Sequence, residues 1–167
     1  MLPNGTQLHI LEMGAGTGGT TAALLPVLPA NTRYVFTDVS ALFLQRARAR
    51  FQQYGFVEYA VLDIDRDPTE QGFKSGGFDL IIAANVFHAS RNLDDTLARA
   101  YELLDPGGIL LLVEMTAYQT WFDIVFGPVL SPLEDARRGH QPFLAAEQWR
   151  GALQRAGFVP GQFVPDD

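Results

Sequence analysis

Two hydrophobic rhythms alternate along this chain. Short apolar or β-branched runs occupy 8–13 (LHILEM), 33–38 (RYVFTD), 57–63 (VEYAVLD), 78–85 (FDLIIAAN) and 109–115 (ILLLVEM). Between them, apolar residues recur every three or four positions, the spacing of a helix with one buried face. Such stretches cover 18–28, stopped by Pro29; 41–53, where Leu42, Leu44, Ala47 and Phe51 face the sheet and Ser40 caps the start; 92–104, capped by Asn92 and ended by Pro106-Gly107-Gly108; and 145–156, ended by Gly157. The polar stretch 64–77 predicts a loop with one helical turn. A helix over 118–126 carries Trp121, Phe122, Val125 and Phe126 on one face, 127–142 is turn-rich, and 158–164 predicts one more strand. The near-continuous apolar run 78–85 marks a central parallel strand covered on both faces. Strands alternating with helices give an α/β fold, a doubly wound and mostly parallel sheet whose ligands gather at the carboxyl ends of the strands. The expectation is a single domain over 1–167, with a variable insert at 116–142.

The first strand opens into four glycines within six positions, Gly14, Gly16, Gly18 and Gly19. A strand, a glycine turn and a helix begin a βαβ unit. Glycine is needed where the chain reverses sharply and where a ligand approaches the backbone at a place a Cβ would occupy. Gly14, Gly16 and Gly19 satisfy GxGxxG, a weak signal for a dinucleotide on its own. Glu12, two residues ahead of the first glycine, separates two readings. A carboxylate repels a pyrophosphate and attracts a ligand with a cationic amine or sulfonium. S-adenosylmethionine is therefore favoured over NAD.

Composition narrows the partners. A chain of 167 residues with 47% hydrophobic content is large enough to bury a real core, and its net charge of −7 argues against a nucleic-acid substrate. The arginines of 46–50 read as the solvated face of a helix. With no cysteine, disulfides, thiolate metal sites and thiol nucleophiles are excluded. No His/Asp/Glu cluster has metal-ligand spacing. The absence of a signal-like start and of a long apolar run predicts a cytoplasmic protein without a membrane segment.

Several polar residues fall at or just past predicted strand ends: Glu12, Asp38, Asp63, Asn85, His88 and Glu114. Asp38, some twenty residues beyond the glycine turn, suits the two hydroxyls of a ribose; its other reading is a helix-capping acid. Asp63 suits an adenine amino group with Ile64 packed on the ring, or else is a solvated loop acid. His88 follows the central strand in a loop, and Glu114 ends the neighbouring strand. A hydrogen bond between them would fix the imidazole tautomer, which a general base requires; strand-end packing is the bland alternative. His9, His140 and Trp149 read as structural. The Trp121, Phe122 and Phe126 stripe reads as sheet cover or as a wall of an acceptor channel.

The segments ILEMGAGTGGTT, FTDVS, LDIDRDPTEQGF, FDLIIAANVFHASRNLDDTL, LLDPGGILLLVEMT and WFDIVFG, in this order and over nearly the whole chain, resemble the methyltransferase domains of modular polyketide synthases. The resemblance implies a class I, Rossmann-like methyltransferase core using S-adenosylmethionine. It implies an acceptor presented as a polyketide thioester on the phosphopantetheine arm of an acyl carrier protein, among neighbouring synthase domains. Gly14, Gly16 and Gly18 would admit the cofactor, Glu12 and the Asn85 backbone would meet its methionine end, Asp38 the ribose, and Asp63 with Ile64 the adenine, with Met13, Ala15 and Val39 also among the cofactor-binding residues. His88 and Glu114 match the family's catalytic pair. Members methylate either the α-carbon of a β-ketoacyl thioester or a hydroxyl or enol oxygen. A helical lid ahead of the turn and a final antiparallel strand have no counterpart here, which implies a core trimmed at both ends with an exposed sheet edge, and leans the expectation slightly towards oxygen. The other classes of reading are an inactive scaffold of the same fold, and an NAD-dependent oxidoreductase.

Overall fold

The computed structural model describes residues 7–117, 134, 143–159, 161–162 and 164. Five strands, β1 (Leu8–Met13), β2 (Thr32–Asp38), β3 (Val57–Val61), β4 (Phe78–Ala84) and β5 (Leu104–Val113), form one parallel sheet in the order β3-β2-β1-β4-β5. Between them run α1 (Gly19–Leu24), α2 (Ala41–Arg50) and α3 (Leu93–Leu103), and α4 (Ala146–Arg155) follows β5. The strand order reverses between β1 and β4. At such a switch point the flanking crossovers diverge and leave a crevice at the carboxyl edge.

Side-chain alternation divides the core into two layers. From β1, Leu11 and Met13 join Val35, Ile81 and Ala83 beneath α3 and α4, where Leu97, Leu103, Trp149 and Ala152 close the layer. Ile10 points to the other face with Tyr34, Phe36 and Ile82, covered by Leu25, Leu44, Ala47 and Phe51. Each large side chain so enclosed is worth about 1.5–3 kcal/mol of transfer free energy. Leu97, fully buried in the first layer, would cost about 2–5 kcal/mol if cut to alanine.

Most expected elements appear, with shifts that have local causes. The first α-helix ends at Leu24, the chain continuing as a 3-10 turn over Leu25–Val27. Pro26, not Pro29, ends it, because its ring collides with the preceding turn and it has no N–H to give. α2 stops at Arg50, and Leu42 is half-exposed while Leu44, Ala47 and Phe51 are buried. Two residues of helix rotate a side chain about 200°, so Leu42 and Leu44 cannot share a face. Ser40 holds the N-cap position without a side-chain cap bond; its backbone N–H donates to Asp38 Oδ1 at 2.8 Å. Asn92 does cap α3, accepting from the Asp95 N–H.

β3 ends at Val61, so Asp63 lies just beyond it. β5 begins earlier than expected: Leu104 pairs with Phe78, the chain bulges, and pairing resumes at Ile109 opposite Leu80. The bulge turns on Gly107 at φ +84°, and a Cβ on Gly108 would sit 2.9 Å from the Asp105 carbonyl. The strand expected over 158–164 is not formed among its described residues. The Phe158 N–H instead caps α4 on the Leu153 carbonyl, and its ring packs edge-on against Tyr101. The helix expected over 118–126, nearly all of the insert expected at 116–142, and His140 lie outside the described residues. Among the described residues no helix is long and apolar enough to cross a membrane.

Candidate active site

The tips of β1, β2 and β3 with the loop after β4 enclose a cavity of about 550 Å³ at the switch point. Six residues singled out in the sequence line it: Gly14, Asp38, Val39, Asp63, Ile64 and Asn85. Leu62, Asp65, Arg66, Val86, Ala89 and Arg91 complete the wall.

The glycine turn is shaped by left-handed backbone. Gly14, Gly16 and Gly18 have φ of +62°, +54° and +75°, where side chains are disfavoured. A Cβ on Gly14 would also lie 2.5 Å from a Val86 methyl. The Gly16 N–H donates to Asp38 Oδ2 at 2.9 Å, and the Ala15 N–H to the Thr37 carbonyl at 2.8 Å. Asp38 thereby fastens the turn to the end of β2. An ionised carboxylate has about four acceptor positions, so it retains capacity for a ligand's hydroxyls after receiving the Gly16 and Ser40 N–H groups. Gly18 is buried over the Phe51 ring, and Arg50 donates from below to the Thr17 carbonyl at 2.9 Å. Met13 faces the α3 layer as core.

Glu12 departs from its expected place. Its side chain alternates to the α1 and α2 face and is 1% exposed. Its Oε2 accepts from Thr21 Oγ1 at 2.5 Å and from Tyr34 Oη at 2.6 Å. The carboxylate is enclosed behind the turn and does not line the cavity. Burial pushes its protonation upward, against the pull of the Thr21 and Tyr34 hydroxyls and the Thr21 N–H. Tyr34 is pushed up in turn by burial and by the Glu12 charge, so its hydroxyl remains a donor.

A second group stands at the tips of β4 and β5. Asn85 takes a left-handed φ of +54°, alone among the described non-glycine residues, and its N–H donates to the Val113 carbonyl at 2.7 Å. Such strain persists where surrounding bonds over-determine it, commonly at functional sites. The reversal turns the chain back over β5, where Glu114 receives it. Glu114 Oε1 accepts from the Val86 and Phe87 N–H groups at 2.9 and 2.7 Å, and its Oε2 lies 2.7 Å from His88 Nδ1. Both side chains are nearly enclosed, at 8% and 2% exposure. A carboxylate is an acceptor only, so Nδ1 carries the proton in this contact. Phe143 packs on the imidazole at 5.3 Å between centroids.

Tyr34, Thr21 and Phe143 were not foreseen. The alternation of RYVFTD signals that Tyr34 shares a face with Phe36, but nothing in the order of residues brings Phe143 to His88.

The cavity suits a nucleoside. Val39, although apolar, is 65% exposed at its rim beside Asp38, and Ile64 is half-buried there. A planar base set against them removes that apolar surface from water, while the glycine turn offers backbone where a Cβ would obstruct.

Comparison with known proteins agrees with this geometry. Residues 11–110 match a family model described as a methyltransferase domain. The highly reducing polyketide synthase pspA of Penicillium soppii is 43% identical over 168 residues, covering 96% of this chain and 7% of pspA. The methyltransferase calH of Penicillium decumbens is 44% identical over 163 residues, covering 92% of this chain and 44% of calH. A solved complex of CalH with SAH superposes with a TM-score of 0.83 at 41% identity, covering 90% of this chain and 44% of that one. The CurJ carbon methyltransferase gives a TM-score of 0.90 at 43% identity, over 98% of this chain and 46% of CurJ. The chain thus spans less than half the length of these relatives. It belongs to the methyltransferase domain family, in the S-adenosylmethionine-dependent branch found in polyketide synthases.

Proposed function

We propose that the chain methylates the α-carbon of a β-ketoacyl thioester carried on the phosphopantetheine arm of an acyl carrier protein. The observation that carries this is the enclosed His88 and Glu114 pair at 2.7 Å, whose carboxylate also holds the N–H of Val86 in the cavity wall. Gly14, Ala15, Gly16, Gly18 and Asn85 offer backbone to the methionine end of the cofactor, with Met13 packing behind them. Asp38 and Val39 take the ribose, and Asp63 with Ile64 the adenine. S-adenosylmethionine, when bound, supplies an electrophilic methyl on a sulfonium.

His88 does the proton work. Nε2 takes a proton from the acceptor carbon while Nδ1–H stays on Glu114, so the imidazolium forms beside a carboxylate. The electron pair left on that carbon would then be available to the methyl that a bound donor would supply, with the neutral thioether as leaving group. A carbon between a ketone and a thioester carbonyl yields its proton to an imidazole far more readily than an alcohol does. This favours carbon over oxygen, as does the likeness to CurJ, described as a carbon methyltransferase. The slight lean towards oxygen rests on where the chain begins and is set aside.

Carrier-bound β-keto and β-hydroxy thioesters, each incubated with S-adenosylmethionine and read by fragment mass spectrometry, test the assignment. Methyl on the α-carbon of the β-keto substrate is expected. Methyl on oxygen of either substrate would refute it.

A further inference from the structure

We propose that Tyr34 is a positioning residue for the cofactor turn, acting through Glu12; this rests on the reading that residues 14–18 hold the donor.

Tyr34 lies in β2 beside Phe36, in the layer under α1 and α2, and is fully buried. Phenylalanine would fill the same space. The hydroxyl donates to Glu12 Oε2 at 2.6 Å and lies within hydrogen-bond reach of the Thr21 hydroxyl on the same carboxylate. That same oxygen accepts from Thr21 at 2.5 Å, in the first turn of α1. One carboxylate oxygen therefore joins β1, β2 and α1. The glycine turn is the segment between the two ties, since Glu12 precedes it and Thr21 follows it. Thr37 adds a third, its Oγ1 donating to the Glu12 carbonyl at 2.6 Å.

A buried carboxylate is a poor way to stabilise a fold. Desolvating one costs several kcal/mol, and well-packed apolar side chains of similar volume usually do as well or better. What the polar cluster provides and an apolar one would not is direction: two short bonds fix the angle at which β1 enters the turn and α1 leaves it. Gly14 and Gly16 depend on that angle, because their backbone stands in left-handed conformations. Without it, the turn keeps its contacts to β2 but loses its register against the cavity.

The test uses Tyr34→Phe, Glu12→Gln and the double variant, with S-adenosylhomocysteine binding by calorimetry well below each melting temperature. Tyr34→Phe should bind about tenfold more weakly, equivalent to ~1.4 kcal/mol. The KM for S-adenosylmethionine should rise likewise with kcat nearly unchanged. Because Tyr34 acts through Glu12, the double variant should bind no more weakly than Glu12→Gln alone. A lower melting temperature with unchanged affinity in Tyr34→Phe would make the tyrosine merely structural and overturn the proposal. Additive losses in the double variant would overturn the route through Glu12. Failure of the unmodified chain to bind would instead overturn the reading of the turn itself.

Discussion

The site has two halves that are built in opposite ways. At the tips of β1, β2 and β3, the donor half is made of backbone: left-handed glycines, N–H groups tied to Asp38 and Thr37, and a buried acid behind them. At the tips of β4 and β5, the proton-transfer half is made of side chains, with a single carboxylate holding two backbone N–H groups and an imidazole. On the proposed reading, the first half would select by shape and the second would act by proton affinity. Substitutions in the donor half should therefore move binding, and substitutions in the other should move turnover.

The largest separation is expected at His88. His88→Ala should lower kcat by about 10³-fold, within the usual range for a general base, while S-adenosylhomocysteine affinity by calorimetry stays within about twofold. Loss of both together would dissolve the distinction between the halves.

Glu114→Gln comes next. The glutamine keeps an oxygen for the Val86 and Phe87 N–H groups but offers an amide towards Nδ1, which favours the wrong tautomer. A fall of about 10²-fold in kcat is expected. The melting temperature should also drop by several degrees, since bonds to a charged acceptor are worth about 1.5–3 kcal/mol against 0.5–1.5 for neutral ones.

Gly14→Ala probes the opposite half. Its Cβ would stand 2.5 Å from Val86 at φ +62°, and overpacking of this kind costs about 1–3 kcal/mol. Cofactor affinity should fall at least tenfold, with kcat at saturating cofactor little changed.

The smallest effect concerns pH. The native Glu12 carboxyl lies above its ordinary value of 4.5 because burial disfavours the charge. The folded state therefore binds that proton more tightly than the unfolded state. Its contribution to stability is full below the ordinary value and is lost as pH rises through the raised one. Melting curves should show Glu12→Gln gaining on the unmodified chain as pH increases from acid to neutral, by a few degrees. A constant difference across that range would contradict it.

How much of this was legible beforehand differs between the halves for a physical reason. The turn could be read because glycine spacing encodes backbone conformation directly, and Asp38, Val39, Asp63 and Ile64 follow from strand ends that alternation locates well. The placement of His88 and Glu114 was legible for the same reason, as Glu114 directly follows β5 and His88 lies in the short segment after the neighbouring β4. Glu12 was placed correctly on β1, but the buried position of its side chain behind the turn was not foreseen. Its charge suggested a cationic ligand, whereas its parity along the strand sends it beneath α1 with Ile10. Tyr34 and Thr21 escaped because a buried hydroxyl leaves no trace in hydrophobic periodicity. The early bulge in β5 and the end of α1 at Pro26 are boundary effects, set by single residues that periodicity averages over.

The central claim is that His88 removes a proton from carbon. It can be measured without methyl transfer, by following deuterium loss from the α-carbon of a carrier-bound β-ketoacyl thioester with S-adenosylhomocysteine in the donor site. The account predicts that the unmodified chain accelerates this loss and that His88→Ala returns it to the rate without protein. Equal rates for the two proteins would contradict it.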